Sequence, residues 1–151
     1  MSDERQVNDV LVYRDSAGFY RERPVEVERA PTAGSTNASA PAITSTYSMA
    51  QAADGTNPTL VVAGARALVT VDAYNARTAG VSILFYDKAS APVVGTDTPK
   101  WTVYLPGLTP ANRVYPTGIR FYDGLAFALV PDDAPGLMAG DIQGLNLGYA
   151  P

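Results

Sequence analysis

The chain has 151 residues, of which 46% are hydrophobic and only 17% charged, and its formal net charge is −4. That length suits one domain with an extension, and the acidic balance argues against a general affinity for nucleic acid, which needs a basic face, while leaving room for a small local patch. Neither cysteine nor histidine occurs, which removes disulfides, thiolate nucleophiles, Cys/His zinc sites and imidazole bases. The opening segment MSDERQVNDV is charged and lacks the apolar heart of a secretory signal. The longest apolar run, Thr59 to Val71, carries Gly64 and Arg66 and is too short for a membrane span. The expectation is a soluble protein made in the cytoplasm, with no membrane or nucleic-acid partner.

Taken in order, residues 1–30 stand apart as an arm. All the glutamates lie here (Glu4, Glu22, Glu26 and Glu28), together with Arg5, Arg14, Arg21, Arg23 and Arg29. Val10 and Val12 alternate with Leu11 and Tyr13 as in a strand, Asp15-Ser16-Ala17-Gly18 suits a turn, and Phe19 to Val27 returns as a second strand. A lone hairpin is marginal in water and needs a surface to lie on. That surface is either its own domain or a neighbouring protein, and in the second case Arg5, Val10, Val12, Tyr13, Arg14, Phe19, Tyr20, Arg21 and Arg23 are the residues that would touch it. Residues 31–42, PTAGSTNASAPA, carry no charge and nothing larger than asparagine, so they read as a linker with a reach of roughly 20 Å.

Residues 43–151 read as an all-β domain. Ile43 to Met49 predicts an edge strand or the ordered end of the linker, and Leu60–Ala63 and Ala67–Tyr74 predict strands broken at Gly64. The centre lies at 81–130, where Val81, Ile83 and Phe85, then Trp101, Val103 and Leu105, then Leu125, Phe127 and Leu129 each repeat with a period of two. Side chains two apart on a strand point the same way, so each set lays an apolar face on a common core. Leu84 and Tyr86 make the first of these strands apolar on its other face too. That requires a cover, supplied either by the arm or by another subunit. Residues 88–100 and 131–141 read as loops, 109–118 as a connection broken by Pro110 and Pro116, and Asp123-Gly124 as a hairpin turn between Ile119–Tyr122 and Leu125–Val130. In the last strand Leu145, Leu147 and Tyr149 face one way. About eight short strands and no convincing helix predict a β-sandwich of jelly-roll type.

Carboxylates are the catalytic resource that remains. Asp87, Asp97, Asp123 and Asp141 sit in or beside turns, where aspartate bonds its own backbone, and Asp132 and Asp133 would point to opposite faces of a strand. A calcium loop on Asp132, Asp133 and Asp141 is conceivable but has no EF-hand spacing, and no phosphate-binding or nucleophile-elbow motif occurs. The expectation is a protein without catalytic residues, metal or cofactor. The tyrosines, with Trp101, fit core and interface positions better than a sugar platform. Leu84, Tyr86, Tyr104, Leu145, Leu147 and Tyr149 form the expected oligomer interface.

The segments ILFYDKASAPVVGTDTP, YPTGIRFYDGLAFAL and AGDIQGLNLGYA occur in the same order and at similar spacing in small structural proteins of tailed-bacteriophage virions, which residues 83–151 therefore resemble. GTDTP and GLNL are the specific words, and the apolar frame between them is generic. The loop at 131–139 is shorter than is usual in that group. The resemblance implies a capsid decoration or cement protein on the virion surface, oligomeric (a trimer favoured) and bound to the major capsid protein or other virion proteins through its arm. The alternative is a tail- or fibre-associated module that binds a host glycan through the tyrosines and loops 88–100 and 131–141.

Overall fold

The computed structural model describes residues 5–7, 10–14, 20–23, 41–133 and 135–151. The expected turn at 15–18, Phe19, residues 24–27 of the expected return strand and residues 31–40 of the expected linker lie outside them. The chain separates into two compact units, Met1–Thr36 and Asn37–Pro151.

The first unit contains an antiparallel sheet of β1 (Arg5–Val7), β2 (Val10–Arg14) and β3 (Tyr20–Arg23), in that order. Val12 lies opposite Arg5 on one side and Glu22 on the other. The β2–β3 pair matches the alternation in the sequence. β1 was not anticipated, because three residues are too few to display a period.

The second unit, the body, is all-β. Its strands are β4 (Ser45–Gln51), β5 (Thr59–Ala63), β6 (Arg66–Asn75), β7 (Val81–Asp87), β8 (Trp101–Leu105), β9 (Thr109–Phe121), β10 (Gly124–Pro131) and β11 (Ile142–Ala150). They form two four-stranded antiparallel sheets, ordered β4-β11-β6-β9 and β5-β10-β7-β8. The pairs β4·β11, β5·β10, β6·β9 and β7·β8 are all hydrogen-bonded. The body is thus one long antiparallel hairpin with its apex at 88–100, and rolling it up adds the cross pairs β11·β6 and β10·β7. This is the jelly-roll arrangement. Among the described residues no helix is long and apolar enough to cross a membrane.

The core between the sheets takes Leu68, Val71, Ile83, Phe85, Val103, Phe121, Leu125, Phe127, Leu145 and Leu147. Phe85 lies 6.5 Å from both Phe121 and Phe127, and Tyr47 meets Phe127 edge-on at 5.6 Å, the spacing at which ring quadrupoles attract. The buried polar side chain Asn75 holds two turns together. Its amide donates to the Ala79 and Leu105 carbonyls, and its oxygen accepts from the Arg77 amide. Both its nitrogen and its oxygen have partners, so burial costs little.

Four expectations change. Asp123-Gly124 does not close a hairpin, because β9 and β10 belong to different sheets and the turn carries the chain across the core. Residues 109–118 are not a connection but most of β9; a sheet edge tolerates Pro110 and Pro116, since their missing N–H groups can face away from the ladder. Trp101 is 42% exposed and stands outside the core at the start of edge strand β8. The second face of β7 has a cover the sequence did not suggest, the chain's own 88–100 loop: Tyr86 packs with Ala126 and Ala128 beneath half-buried Val94.

Phe127 touches both aromatic neighbours at the centre of the core, so Phe127→Ala is expected to lower unfolding free energy by about 3–5 kcal/mol in denaturant titrations. Tyr122→Ala, on the surface, is expected to change it by less than about 0.5 kcal/mol.

Candidate functional site

The apex loop explains one of the two sequence words. Proline at 92 and 99 denies residues 88–100 a regular ladder, so the loop is held by side chains. The Asp97 carboxylate accepts from the Val93 amide at 2.7 Å and from the Lys88 ammonium at 2.5 Å, while the Thr96 and Asp97 amides donate to the Val93 carbonyl. The Lys88 hydrogen bond, followed by the Val93 N–H, holds the Asp97 carboxyl below its ordinary value. GTDTP is therefore the clamp that folds Val94 down onto Tyr86. GLNL is equally structural. Gly144 sits at φ +58°, where β11 slips its register against β6, and Leu145 and Leu147 then point into the core. A side chain at that φ would be strained.

Beside the apex, Asp87 is a second node. Its carboxylate accepts from the amides of Tyr122 and Asp123, both at 2.7 Å, and from the Lys100 ammonium at 2.7 Å. Partial burial pulls this carboxyl up, but the Lys100 and amide hydrogen bonds outweigh it and leave it below the ordinary value. The Lys100 ammonium lies 4.7 Å from the Tyr122 ring centre and 5.4 Å from that of Phe121, within cation–π range. Trp101 donates through its indole N–H to the Tyr115 hydroxyl at 3.1 Å, with the rings edge-on. This fixes the exposed Trp101 ring, and Tyr122, its ring beneath the Lys100 ammonium, is 69% exposed. Rigid, half-wet aromatics of this kind are good contact anchors because little side-chain entropy remains to be lost.

At the opposite end, Arg77 pins the 131–141 loop. Its guanidinium meets Asp133 at 2.5 Å and Asp141 at 3.3 Å, and donates to the Gly136 carbonyl. Arg77 therefore stands where the conceivable calcium loop would need its cation. The third member, Asp132, accepts from the Tyr104 hydroxyl, and that bond raises the tyrosine's pKa. Among the described residues no three acidic side chains gather as a metal site. Asp54 accepts from the Ala139 amide and Asp72 from the Asn112 side chain. Each described aspartate except Asp123 thus has a structural partner.

The expected interface set divides. Leu145 and Leu147 are fully buried in the core, and Tyr86 and Tyr149 are buried too, so their side chains face their own body and are closed to a partner. Tyr104, 50% exposed, and half-buried Leu84 remain at the surface. Of the arm residues, Arg5, Val10, Val12, Tyr13, Arg14, Tyr20, Arg21 and Arg23 lie on β1–β3, and Phe19 is outside the described residues. The loops 88–100 and 131–141, paired in the glycan reading, do not meet. Asp87 pairs with Leu125 and Val81 with Pro131, which puts the loops at opposite ends of β7, about 20 Å apart. Trp101, Tyr115 and Tyr122 belong to the aromatic set that the sequence weighed as core, interface or sugar platform; the alternation of β8 assigned Trp101 to the core, yet it is exposed and bonded to Tyr115. Comparison with known proteins adds no relative: no family model, no curated protein and no solved structure matches the chain.

Both clamped carboxylates titrate below their unfolded value, so their contribution to stability is full above about pH 4 and is lost as pH falls through the lowered folded value. Thermal unfolding is expected to show the gap between wild type and Asp87→Asn narrowing as the pH drops from about 5 to about 3. A gap that widens on acidification would contradict this assignment.

Proposed function

We propose that this chain is a non-catalytic structural protein of a tailed-phage virion, a decoration or cement protein that attaches to the capsid through its N-terminal unit. One observation carries the reading. Among the described residues every aspartate but Asp123 is engaged in structural bonds, while aromatic and aliphatic groups suited to contact are left exposed on the body. Asp87, Asp97, Asp133 and Asp141 are bonded to lysine, arginine or backbone amides, whereas Tyr122, Trp101, Leu108 and Val114 are exposed. The resemblance of residues 83–151 to virion proteins supports the same reading, and so does the jelly roll, a fold used by many shell and lectin domains, although fold alone decides no function. The separate β1–β3 unit, with arginine and glutamate on its strands, supplies the charges that choose a partner. The major capsid protein is the partner proposed, and the outer surface of the shell the location.

A second reading, a tail or fibre module for a host glycan, draws on the exposed aromatics alone, since the two loops once assigned to it lie far apart. Glycan-array binding by the whole chain that disappears in Trp101→Ala or Tyr122→Ala would favour it.

For the first reading, removal of residues 1–30 is expected to reduce binding to purified capsids by at least about 100-fold, as loss of a whole interface should. Undiminished binding by the truncated chain would remove the N-terminal unit from the account.

A further inference from the structure

Two sheets have four edges, and three of them are blunted. β9 carries Pro110, Arg113 and Pro116. β8 and β5 are only five residues long, β8 lying between Lys100 and Pro106 and β5 following Pro58. Proline, charge and shortness are the usual defences against unwanted strand pairing. β4 has none of them. Its sequence, STYSMAQ, holds no charge and no proline over seven residues, among the described residues it pairs with β11 alone, and no register break interrupts that ladder.

The direction of its free groups follows from the ladder. The Ala52 amide donates to the Ile142 carbonyl at 2.8 Å, within a register that sets Ser48 opposite Asn146. Antiparallel bonding alternates, so Ser48 and Ala50 share their backbone groups with β11. Ser45, Tyr47, Met49 and Gln51 turn theirs to the open side. Their side chains do the reverse of exposing apolar surface: Tyr47 and Met49 pack against the core, and Thr46, Ser48 and Ala50 are exposed.

We propose that β4 is a self-pairing edge, whose partner is β4 of a second copy of this chain, joined antiparallel about a two-fold axis through Ser48. In that register Ser45 lies opposite the second copy's Gln51 and Tyr47 opposite its Met49. All four are residues whose backbone groups face outward, so each would gain its missing ladder bonds. Parity places Tyr47 and Met49 on the core side of both bodies, which prolongs the apolar layer across the joint, and places Ser48 against Ser48 on the outside. The absence of charge means that no like pair opposes this arrangement. The outer surface around it is low, with Gly144, Asn146 and Gly148 on β11. Gly148 itself is buried beneath the Thr70 and Ile43 side chains, and no Cβ would fit there. Such a pair is isologous and closes at two copies, and it does not generate the threefold assembly that the resemblance suggested. The inference is independent of the capsid reading and needs no viral partner.

Ser48 is exposed on a strand, so Ser48→Glu and Ser48→Lys are compatible with the fold, which circular dichroism would verify. Sedimentation of the full chain is expected to show a dimer for wild type. Either variant alone should self-associate about fivefold more weakly or worse, since like charges meet across the axis, and an equimolar mixture should recover as opposite charges pair. Amide exchange at Tyr47 and Met49 should slow as wild-type concentration rises. A monomeric wild type, self-association untouched by Ser48→Glu, or a mixture no tighter than either variant alone would each overturn the proposal.

Discussion

The body depends on a single reversal of the chain. β4·β11, β5·β10, β6·β9 and β7·β8 pair because the segment on one side of residues 88–100 runs back along the other, and the Lys88–Asp97–Val93 clamp holds that reversal closed. Most contacts therefore join residues far apart in sequence, and the entropy of closing those loops must be met before they reward the fold. A prepaid turn at the apex lowers that cost at the point where every later pair begins. The same loop lays Val94 over Tyr86, so one segment both starts the roll and seals its outer face.

This gives a physical reason why the words GTDTP and GLNL do not mark a binding surface. The first closes the apex, and the second bends β11 at Gly144 so that Leu145 and Leu147 reach the core. Both specify the scaffold. Partner choice then falls to what the scaffold leaves outside, namely the exposed aromatics beside Asp87, the bare edge of β4 and the charged strands of the N-terminal unit.

Most of the body's strands were legible in the sequence, because a period of two in Val, Ile, Leu and Phe directly reports which side of a strand is buried. Three features were not, each for a definite reason. Pro110 and Pro116 signalled a break, yet a proline breaks a strand only where its N–H is needed, and β9 is an edge. Asp123-Gly124 signalled a hairpin, yet local turn chemistry does not say whether the two strands stay in one sheet. Trp101 continued the apolar alternation of Val103 and Leu105, but it stands at the strand's end, where the core has run out and Tyr115 offers a hydrogen bond. The site was less legible than the fold. Residues far apart in the chain, such as Asp87 with Tyr122 and Arg77 with Asp133, meet only once the roll has formed.

The proposed role is attachment without catalysis. Imaging an intact particle that carries this protein, at side-chain resolution, tests it most directly. The predicted result is the jelly-roll body seated on the outer shell, with its chain leading from Pro41 back to β1–β3 pressed against capsid subunits. A particle whose shell bears no such body, or a body that touches the capsid by none of residues 1–30, would contradict it.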